Sequence, residues 1–256
     1  MFYRGVVLYL LVVSSLFAQS DYPGREKYQS IDIIETNRLN EEFDNYHIVD
    51  VRSTFEFSII HVAGAENIPL SSTDFLNRFR ELSDAGKKLV TYCNGHTCYK
   101  SYKAVLRASK GGVKGVLAYD SGVFDWAKAH PDKAVLLNET PVDASKLLSK
   151  DQLKAHMLDP EDFASRLGDG VTTVDIRGPT QRGGVGLFGM NDVAIALESR
   201  ERLIKYIRKY ANNGKTLYVY DEAGRQVRWV QYLIEAEGVK NYFFMKGGAK
   251  AFISTF

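Results

Sequence analysis

The sequence contains one internal repeat, and this repeat limits the possible folds more than any other feature. The pair Asp50 and Arg52 recurs 125 residues later as Asp175 and Arg177. Two further segments recur at offsets of 128 and 126 residues: Leu89–Cys93 as Leu217–Asp221, and Ser121–Trp126 as Gly247–Phe252. A nearly constant offset is expected of a duplicated domain whose copies differ by small loop insertions. The sequence therefore predicts a tandem pair of similar domains.

Each half alternates short apolar runs, typical of strands, with stretches of helical periodicity such as Asp74–Leu82 and Glu201–Arg208. This alternation predicts an α/β fold with two domains, each a mainly parallel sheet flanked by helices on both faces. Ligands of such sheets bind beyond the carboxyl ends of the strands. Functional residues are therefore expected where strands end.

Four segments are predicted along the chain. Residues 1–20 combine one positive charge, Arg4, with an apolar run that ends in small residues, which is typical of a secretory signal peptide and too short for a membrane span. The others are a first domain at residues 21–135, a linker at residues 136–150 and a second domain at residues 151–256. The mature protein is expected to be exported without a membrane span, to the periplasm in a Gram-negative bacterium and otherwise as a secreted protein. A formal net charge of +2 gives no reason to expect nucleic acid as a partner.

A short loop between the predicted strand Leu89–Tyr92 and a predicted helix begins and ends with the only two cysteines, Cys93 and Cys98. Cys93 is thereby expected at the carboxyl end of a strand and beside a helix N-terminus. Thiols in that position have pKa values lowered from about 8.5 to about 3.5–7.5, so Cys93 is expected to be largely thiolate at neutral pH. The helix end also directs backbone N–H groups at an anion. The residues expected to contribute them are Asn94, Gly95, His96, Thr97 and Cys98.

Five signals of a known family occur in the family's order around this loop. They are Asp50-Val-Arg52, Glu56-Phe57, His61–Pro69, the Cys93 loop, and Asp120–Trp126 with its Gly-x-x-x-Trp helix start. Over about residues 31–131 the sequence thus resembles the rhodanese family of sulfurtransferases. The resemblance implies an enzyme that takes sulfane sulfur from thiosulfate or another small anion as a persulfide on Cys93 and passes it to a thiol or a cyanide-like acceptor. No cofactor and no metal is implied, and the sequence identifies no protein partner.

Three residues are predicted to brace the loop rather than to carry out chemistry. Asp50 and Arg52 match the family's strand-end pair and are interpreted as a structural ion pair. His61 is interpreted as a hydrogen-bonded framework residue rather than a base. The cationic side chains nearest to Cys93 in the sequence are His96 and Lys100.

The second half has Asp221 at the position of Cys93. A carboxylate cannot carry sulfane sulfur, so this half is expected to be a degenerate rhodanese-like domain without catalysis of its own. Its Gly-rich segment 182–189 fits neither common nucleotide-binding spacing and is interpreted as a flexible surface loop.

Other functions remain open from the sequence. A phosphatase or arsenate reductase of the same fold would need an arginine six residues after the cysteine, where this chain has Tyr99. A metal site built from Cys93, His96 and Cys98 matches no zinc motif. The chain could instead be a persulfide carrier without turnover, or a binding module in an exported assembly. Cys98 has two interpretations, a resolving thiol that pairs with Cys93 or a residue that only packs behind the loop.

Overall fold

The two halves of the repeat fold around two separate β-sheets. The computed structural model describes residues 21–184, 186–189, 192–211 and 214–255. The predicted signal peptide at residues 1–20 lies outside this range. Within the described ranges, no helix has both the length and the apolar character needed to cross a membrane.

The first half contains strands β1 to β6 and helices α1 to α6. The strands are β1 (Tyr46–Asp50), β2 (Ile60–Val62), β3 (Glu66–Asn67), β4 (Lys88–Tyr92), β5 (Leu117–Tyr119) and β6 (Ala134–Leu136). The helices are α1 (Pro23–Lys27), α2 (Thr36–Glu41), α3 (Thr54–Ile59), α4 (Phe75–Asp84), α5 (Lys100–Lys110) and α6 (Gly122–Ala129). Short 3₁₀ turns lie at Phe43–Asn45, Pro131–Lys133 and Ala144–Lys146.

The second half contains strands β7 to β11 and helices α7 to α12. The strands are β7 (Met157–Leu158), β8 (Val171–Asp175), β9 (Asp192–Ala194), β10 (Thr216–Tyr220) and β11 (Tyr242–Met245). The helices are α7 (Lys150–Ala155), α8 (Pro160–Ser165), α9 (Pro179–Arg182), α10 (Arg200–Ala211), α11 (Val227–Ala236) and α12 (Gly248–Ile253).

The first sheet is parallel, in the order β3-β1-β4-β5. Successive residues of its strands point to opposite faces, and both faces are apolar. Val49 and Leu89 pack on one face with Phe75 of α4, whereas Ile48 and Val90 pack on the other in the cluster that contains Trp126 of α6. The predicted α/β fold, with a mainly parallel sheet covered by helices on both faces, is therefore confirmed.

The second sheet has the order β7-β11-β10-β8-β9 and is also parallel. Read in reverse, β9-β8-β10-β11 corresponds to β3-β1-β4-β5 of the first sheet. The extra edge strand β7 also has a counterpart, because Ile33 forms a single parallel bridge with Ala118 of β5. The two sheets therefore share their strand order, as the repeated segments of the sequence suggested.

The connection between the sheets begins one residue later than predicted. Leu136, the first residue of the expected linker, is buried and pairs with Ile60 in the antiparallel β2-β6 ribbon. At the other end, Ser149 caps α7, which already includes Lys150. The intervening chain is fastened to the second half, since the Leu148 N–H donates to the Tyr232 hydroxyl at 3.0 Å.

The two halves also pack directly on each other. One apolar cluster contains buried side chains of both halves, Trp126 of α6 and Trp229 of α11 among them. The Phe124 ring stacks on the Trp229 ring with centroids 5.6 Å apart. The carboxyl end of the first sheet therefore lies near helix α11 of the second half.

The end of segment 182–189, interpreted from the sequence as a flexible surface loop, packs against the rest of the second half. Phe188 packs edge-on against Phe252 with ring centroids 5.0 Å apart, and the Leu187 N–H donates to the Tyr220 hydroxyl. These aromatic contacts anchor the described residues 186–189 against the second sheet, which glycine spacing alone does not reveal.

Candidate active site

Cys93 follows the last residue of β4 and lies at the carboxyl edge of the first sheet. Helix α5 begins at Lys100, so the loop Cys93–Tyr99 joins the strand to the helix as expected. The Cys93 residue is only 1 % exposed. Its Sγ lies 3.3 Å from the Cys98 carbonyl oxygen and 3.9 Å from the Ser101 hydroxyl oxygen.

Cys93 and Cys98 are joined by a disulfide, with their Cα atoms 6.4 Å apart. The usual Cα separation across a disulfide is about 4.4–6.8 Å, so the loop is curled tightly enough for this bond. In the oxidised form Cys93 has no thiol. A two-electron reduction must therefore precede any reaction in which its sulfur acts as a nucleophile.

The backbone N–H groups of the loop are only partly engaged. The Cys98 N–H donates to the Gly95 carbonyl at 2.7 Å, so the prediction that this amide would face a bound anion is wrong for the structure as it stands. Within the described part of the chain, the backbone N–H groups of Asn94, Gly95, His96 and Thr97 have no acceptor. These four N–H groups remain available to a ligand. A buried donor without a partner costs about 1–3 kcal/mol of free energy, so a ligand that accepts them is favoured.

The chain that follows β5 supports the loop from the side. A Cβ atom at Gly95 would lie 2.9 Å from the Ser121 carbonyl oxygen, and one at Gly122 would lie 2.3 Å from the Gly95 nitrogen. The φ angles of Gly95 and Gly122, +140° and +74°, also favour glycine. The Val123 N–H donates to the Cys93 carbonyl at 3.0 Å. Only glycine permits this close backbone contact.

Asp50 and Arg52 form the brace that the sequence predicts. Both side chains are fully buried, and the Arg52 guanidinium donates Nε and Nη2 to the Asp50 carboxylate. Burial alone would lower the pKa of Arg52, but the Asp50 charge and hydrogen bonds outweigh it and raise that pKa. The guanidinium also donates Nη1 to the Asn94 side-chain oxygen at 3.2 Å. Arg52 therefore connects the end of β1 to the Cys93 loop.

The Asn94 side chain connects this brace to a second one. Its amide nitrogen donates to the Glu56 carboxylate at 3.2 Å, and Lys100 donates to the same carboxylate at 3.3 Å. Glu56 also closes the capping box of α3 with Ser53. Burial would raise the pKa of Glu56, but the Lys100 and Arg52 charges outweigh it and hold that pKa below its usual value. Both ends of the loop are thus fixed by one carboxylate.

His61 does not contact the loop through any of its described hydrogen bonds or ring contacts, so the prediction that it braces the loop is wrong. Its Nδ1 bonds to the Phe57 carbonyl oxygen at 2.8 Å, and its ring stacks on that of Phe57. Burial lowers the pKa of His61. The residue lies in the β2-β6 ribbon, where it pairs with Val135. His61 is therefore a framework residue of the β2-β6 ribbon and not of the Cys93 loop.

His96, in the middle of the loop, is held by two contacts that the sequence did not predict. Its Nε2 lies 2.6 Å from the Asp125 carboxylate of α6. Its ring stacks on the Tyr22 ring with centroids 4.2 Å apart, and the Tyr22 hydroxyl lies 3.2 Å from that of Ser121. The segment that precedes α1 thus lies against the Cys93 loop.

A second contact ties the same segment to the sheet. Arg25 of α1 pairs with the buried Asp120 at 2.7 Å, and the Tyr102 hydroxyl donates to the same carboxylate at 2.6 Å. The Tyr28 ring stacks on that of Tyr102 and lies edge-on to that of Tyr99. Tyr99 therefore packs against Tyr28 at the position where a phosphatase would need arginine.

The loop of the second half, Asp221–Gln226, contains a carboxylate in place of the sulfur. The Asp221 side chain accepts hydrogen bonds from four backbone N–H groups, those of Ala223, Gly224, Gln226 and Val227. The Asp175–Arg177 ion pair occupies the position in this half that the Asp50–Arg52 pair occupies in the first half. The backbone N–H groups of this loop thus bind the carboxylate of the loop's own Asp221 side chain.

The described residues include no cluster of three or more His, Cys, Asp or Glu side chains that could hold a metal ion. Cys93 and Cys98 are bonded to each other, and His96 is bonded to Asp125. The three residues considered for a metal site are thus engaged elsewhere.

Comparison with known proteins identifies the family of the first half. The family profile of the rhodanese-like domain matches residues 35–129. Residues 35–129 of this chain are therefore a rhodanese-like domain, as the resemblance of the motifs predicted.

The individual relatives are distant. An HTH-type transcriptional regulator of Mycobacterium tuberculosis is 34% identical over 82 residues, which are 32% of this chain and 34% of that protein. The match thus spans about a third of the curated relative. Thiosulfate sulfurtransferase from Pseudomonas aeruginosa is 15% identical, with a TM-score of 0.41 and coverage of 88% of this chain and 42% of that one. A rhodanese-related protein from Thermoplasma volcanium is 24% identical, with a TM-score of 0.31 and coverage of 38% and 92%.

Proposed function

We propose that this protein is a sulfurtransferase that carries sulfane sulfur as a persulfide on Cys93. The observation that carries the proposal is the position of Cys93 within a rhodanese-like domain. It is a buried cysteine at the carboxyl end of a parallel strand, in a loop whose backbone N–H groups at residues 94–97 have no acceptor among the described residues.

The reaction consists of two displacements. After reduction of the disulfide by an external dithiol, the Cys93 thiolate attacks the sulfane sulfur of a donor such as thiosulfate. The sulfur–sulfur bond of the donor breaks, and sulfite leaves with the bonding electron pair. An acceptor thiolate or cyanide then attacks the outer sulfur of the persulfide, and Cys93 leaves as a thiolate. No net oxidation of the protein occurs in this cycle.

The second half supplies an internal precedent for the anion that the first loop would bind. Ala223, Gly224 and Val227 donate their N–H groups to Asp221. A shift of 128 residues relates them to Gly95, His96 and Tyr99. We therefore assign these three backbone N–H groups to the outer sulfur of the persulfide, where they would act as an oxyanion hole does. This assignment adds Tyr99 to the residues expected from the sequence.

The side chains around the loop have positioning roles in this proposal. Asn94 is held between Arg52 and Glu56, so these residues fix the start of the loop while the backbone binds the sulfur. Cys98 acts as a resolving thiol. Its thiolate attacks the inner sulfur of the Cys93 persulfide and expels hydrosulfide, or attacks a Cys93 sulfenic acid and expels water. The disulfide at Cys93 is the product of either step.

Export and the role of the second half belong to the same proposal. We assign residues 1–20 to a cleaved signal peptide, on their sequence alone, and the mature protein to the periplasm or the exterior. We assign residues 151–256 to a degenerate rhodanese-like domain, supported by the shared strand order and by Asp221 at the position of Cys93.

Intact mass spectrometry tests the proposal. Reduced mature protein is incubated with thiosulfate, the excess donor is removed, and the protein is weighed before and after addition of cyanide. The wild type should gain one sulfur atom and lose it to cyanide as thiocyanate. The Cys93→Ser variant should gain none, and equal uptake by this variant would reject Cys93 as the carrier.

A persulfide carrier without turnover is the alternative that this experiment must separate. Such a protein would also gain one sulfur atom, but repeated addition of thiosulfate and a small acceptor would not yield more than one equivalent of product. Multiple turnovers that depend on Cys93 support the enzyme. A single equivalent supports the carrier.

A further inference from the structure

Two cationic side chains beside the Cys93 loop, Arg52 and Lys100, are paired with carboxylates, whereas the ammonium of a third, Lys27, lies 5.2 Å from the centroid of the Tyr99 ring. Arg52 is paired with Asp50, and both are buried. Lys100 is paired with Glu56 at 3.3 Å, and His96 lies 2.6 Å from Asp125. The charges of Arg52 and Lys100 are thus largely neutralised where they stand, and these two side chains give an anionic donor little net attraction.

Arg228 of helix α11 differs from them. Its guanidinium carbon lies 4.1 Å from the centroid of the Phe124 ring and 5.2 Å from that of the Trp229 ring. None of the ion pairs formed by the described residues includes Arg228. This half-buried cation therefore lies over the faces of two aromatic rings and not beside a carboxylate. The rings offset only part of the free-energy cost of burying its charge.

Two routes connect this guanidinium to the loop. Phe124 lies two residues after Gly122, whose backbone packs against Asn94 and Gly95. Trp229 also lies 5.5 Å from the Arg52 guanidinium, which donates to Asn94. The Phe124 side chain and the backbone back to Gly122 lie between Arg228 and the loop on the first route, and the side chains of Trp229 and Arg52 lie between them on the second.

The electrostatics agree with this position. Burial lowers the pKa of Arg228, Tyr232 opposes this, and the charges of Arg52 and Glu56 act on the same pKa in opposite directions. The guanidinium nevertheless keeps its charge, because arginine is not deprotonated in proteins. It also presents several N–H donors in a planar fork, which suits a sulfonate group as it suits a carboxylate.

We propose that Arg228, from the half without a cysteine, is the specificity-determining cation that attracts a dianionic sulfonate-type donor such as thiosulfate to Cys93. The inference rests on the proposed sulfurtransferase function. It gives the second half a part in donor selection although that half carries no nucleophile. Attraction at this range raises the rate of encounter and weakens with salt.

The test compares two alkylating probes of nearly equal size and different charge. Reduced protein is treated with iodoacetate, an anion, or with iodoacetamide, which is neutral, and the rate at Cys93 is read by peptide mapping. In either reaction the thiolate displaces iodide. Arg228→Gln should lower the iodoacetate rate about 10-fold and leave the iodoacetamide rate within about twofold. Arg228→Lys should keep most of the iodoacetate rate.

Arg225→Gln is the matched control, because Arg225 is exposed and lies three residues earlier in the same segment. Its ratio of the two rates should equal that of wild type. In parallel, Arg228→Gln should raise the KM for thiosulfate about 10-fold with kcat nearly unchanged, and added salt should reduce the difference.

The outcomes separate this inference from the proposed function. An unchanged ratio of the two alkylation rates in Arg228→Gln overturns the role of Arg228 even if thiosulfate loads Cys93. Equal losses with both probes also overturn it, since Arg228 would then only hold the halves together. A lower iodoacetate rate without any sulfur uptake from thiosulfate supports an anion site at Arg228 but rejects thiosulfate as the donor and the sulfurtransferase as proposed.

Discussion

The loop that begins at Cys93 and the loop that begins at Asp221 lie at equivalent positions in their sheets but differ in the side chain at the first position. Each follows a central parallel strand, β4 or β10, at the carboxyl edge of its sheet. In each, the carbonyl of the first loop residue accepts the N–H of a residue in the second helix after the loop, Val123 of α6 in one half and Ala249 of α12 in the other. The side chain at that first position is a sulfur in one loop and a carboxylate in the other.

The difference shows what such a loop is built to hold. Asp221 accepts four backbone N–H groups, so the second loop is satisfied without a ligand. The N–H groups of residues 94–97 in the first loop have no acceptor among the described residues. Backbone donors of this kind are filled by the loop's own side chain in the second half, and the proposed function assigns those of the first half to an external anion.

The two loops also separate scaffold from chemistry. Asp50–Arg52 and Asp175–Arg177 form the same buried pair with the same hydrogen bonds. Since only one of the two loops has a cysteine, the pair cannot by itself be a sign of sulfur chemistry. It is the brace that such a loop needs whatever its first residue is.

The largest expected effect comes from removal of either brace. Arg52→Leu leaves Asp50 as a buried charge without its partner, and Arg177→Leu does the same to Asp175, so each should lower the free energy of unfolding by about 3–5 kcal/mol. Urea unfolding of both variants measures this loss. If the two halves act separately, only Arg52→Leu also slows sulfur uptake by Cys93, measured under conditions where both variants remain folded. Equal slowing by Arg177→Leu would mean that the two halves do not act separately.

Asp221→Ala should have an intermediate effect on stability. It leaves four backbone N–H groups without their acceptor, which should lower the free energy of unfolding by about 1–3 kcal/mol. Sulfur uptake by Cys93 should stay within a few-fold of wild type. Added sulfate or phosphate should restore part of the lost stability by occupying the vacated donors, measured as a rise in Tm. A loss of uptake comparable to that of Cys93→Ser would show that Asp221 takes part in the chemistry.

The smallest expected effect is the pH dependence of stability that arises from Glu56, the carboxylate that holds both ends of the Cys93 loop. The pKa of Glu56 in the folded protein is below its ordinary value of 4.5. Its carboxylate therefore contributes stability that is complete above about pH 5 and is lost as the pH falls through the folded pKa. Glu56→Gln should lower the free energy of unfolding by about 1 kcal/mol at pH 7 and by less at pH 4. A constant difference between the two proteins over this range would contradict the assigned ionisation.

Much of the fold followed from local patterns. The apolar runs predicted β4 and β10, the helical periodicities predicted α4 and α10, and the repeated segments anticipated two sheets of the same strand order. The position of Cys93 was predictable for the same reason, because the end of a strand and the start of a helix are both visible in the sequence.

The contacts that hold the loop were less predictable. The Asn94 side chain bridges two groups far apart in the sequence, and Tyr22 reaches His96 across more than 70 residues. Such contacts leave no periodic signal. His61 was misplaced because its motif lies near the loop in the family pattern, whereas its hydrogen bond is to Phe57. Arg228 was missed because its position depends on how the two halves pack.

The central claim, that the first loop is an open anion site for a persulfide on Cys93, is tested most directly by a crystal structure of the thiosulfate-loaded, cysteine-reduced protein. The prediction is an outer sulfur on Cys93 within hydrogen-bond distance of the backbone nitrogens of Gly95, His96 and Tyr99, in the arrangement that Ala223, Gly224 and Val227 form around Asp221. An outer sulfur that points away from these nitrogens, or a loaded sulfur on Cys98 instead of Cys93, would contradict the claim.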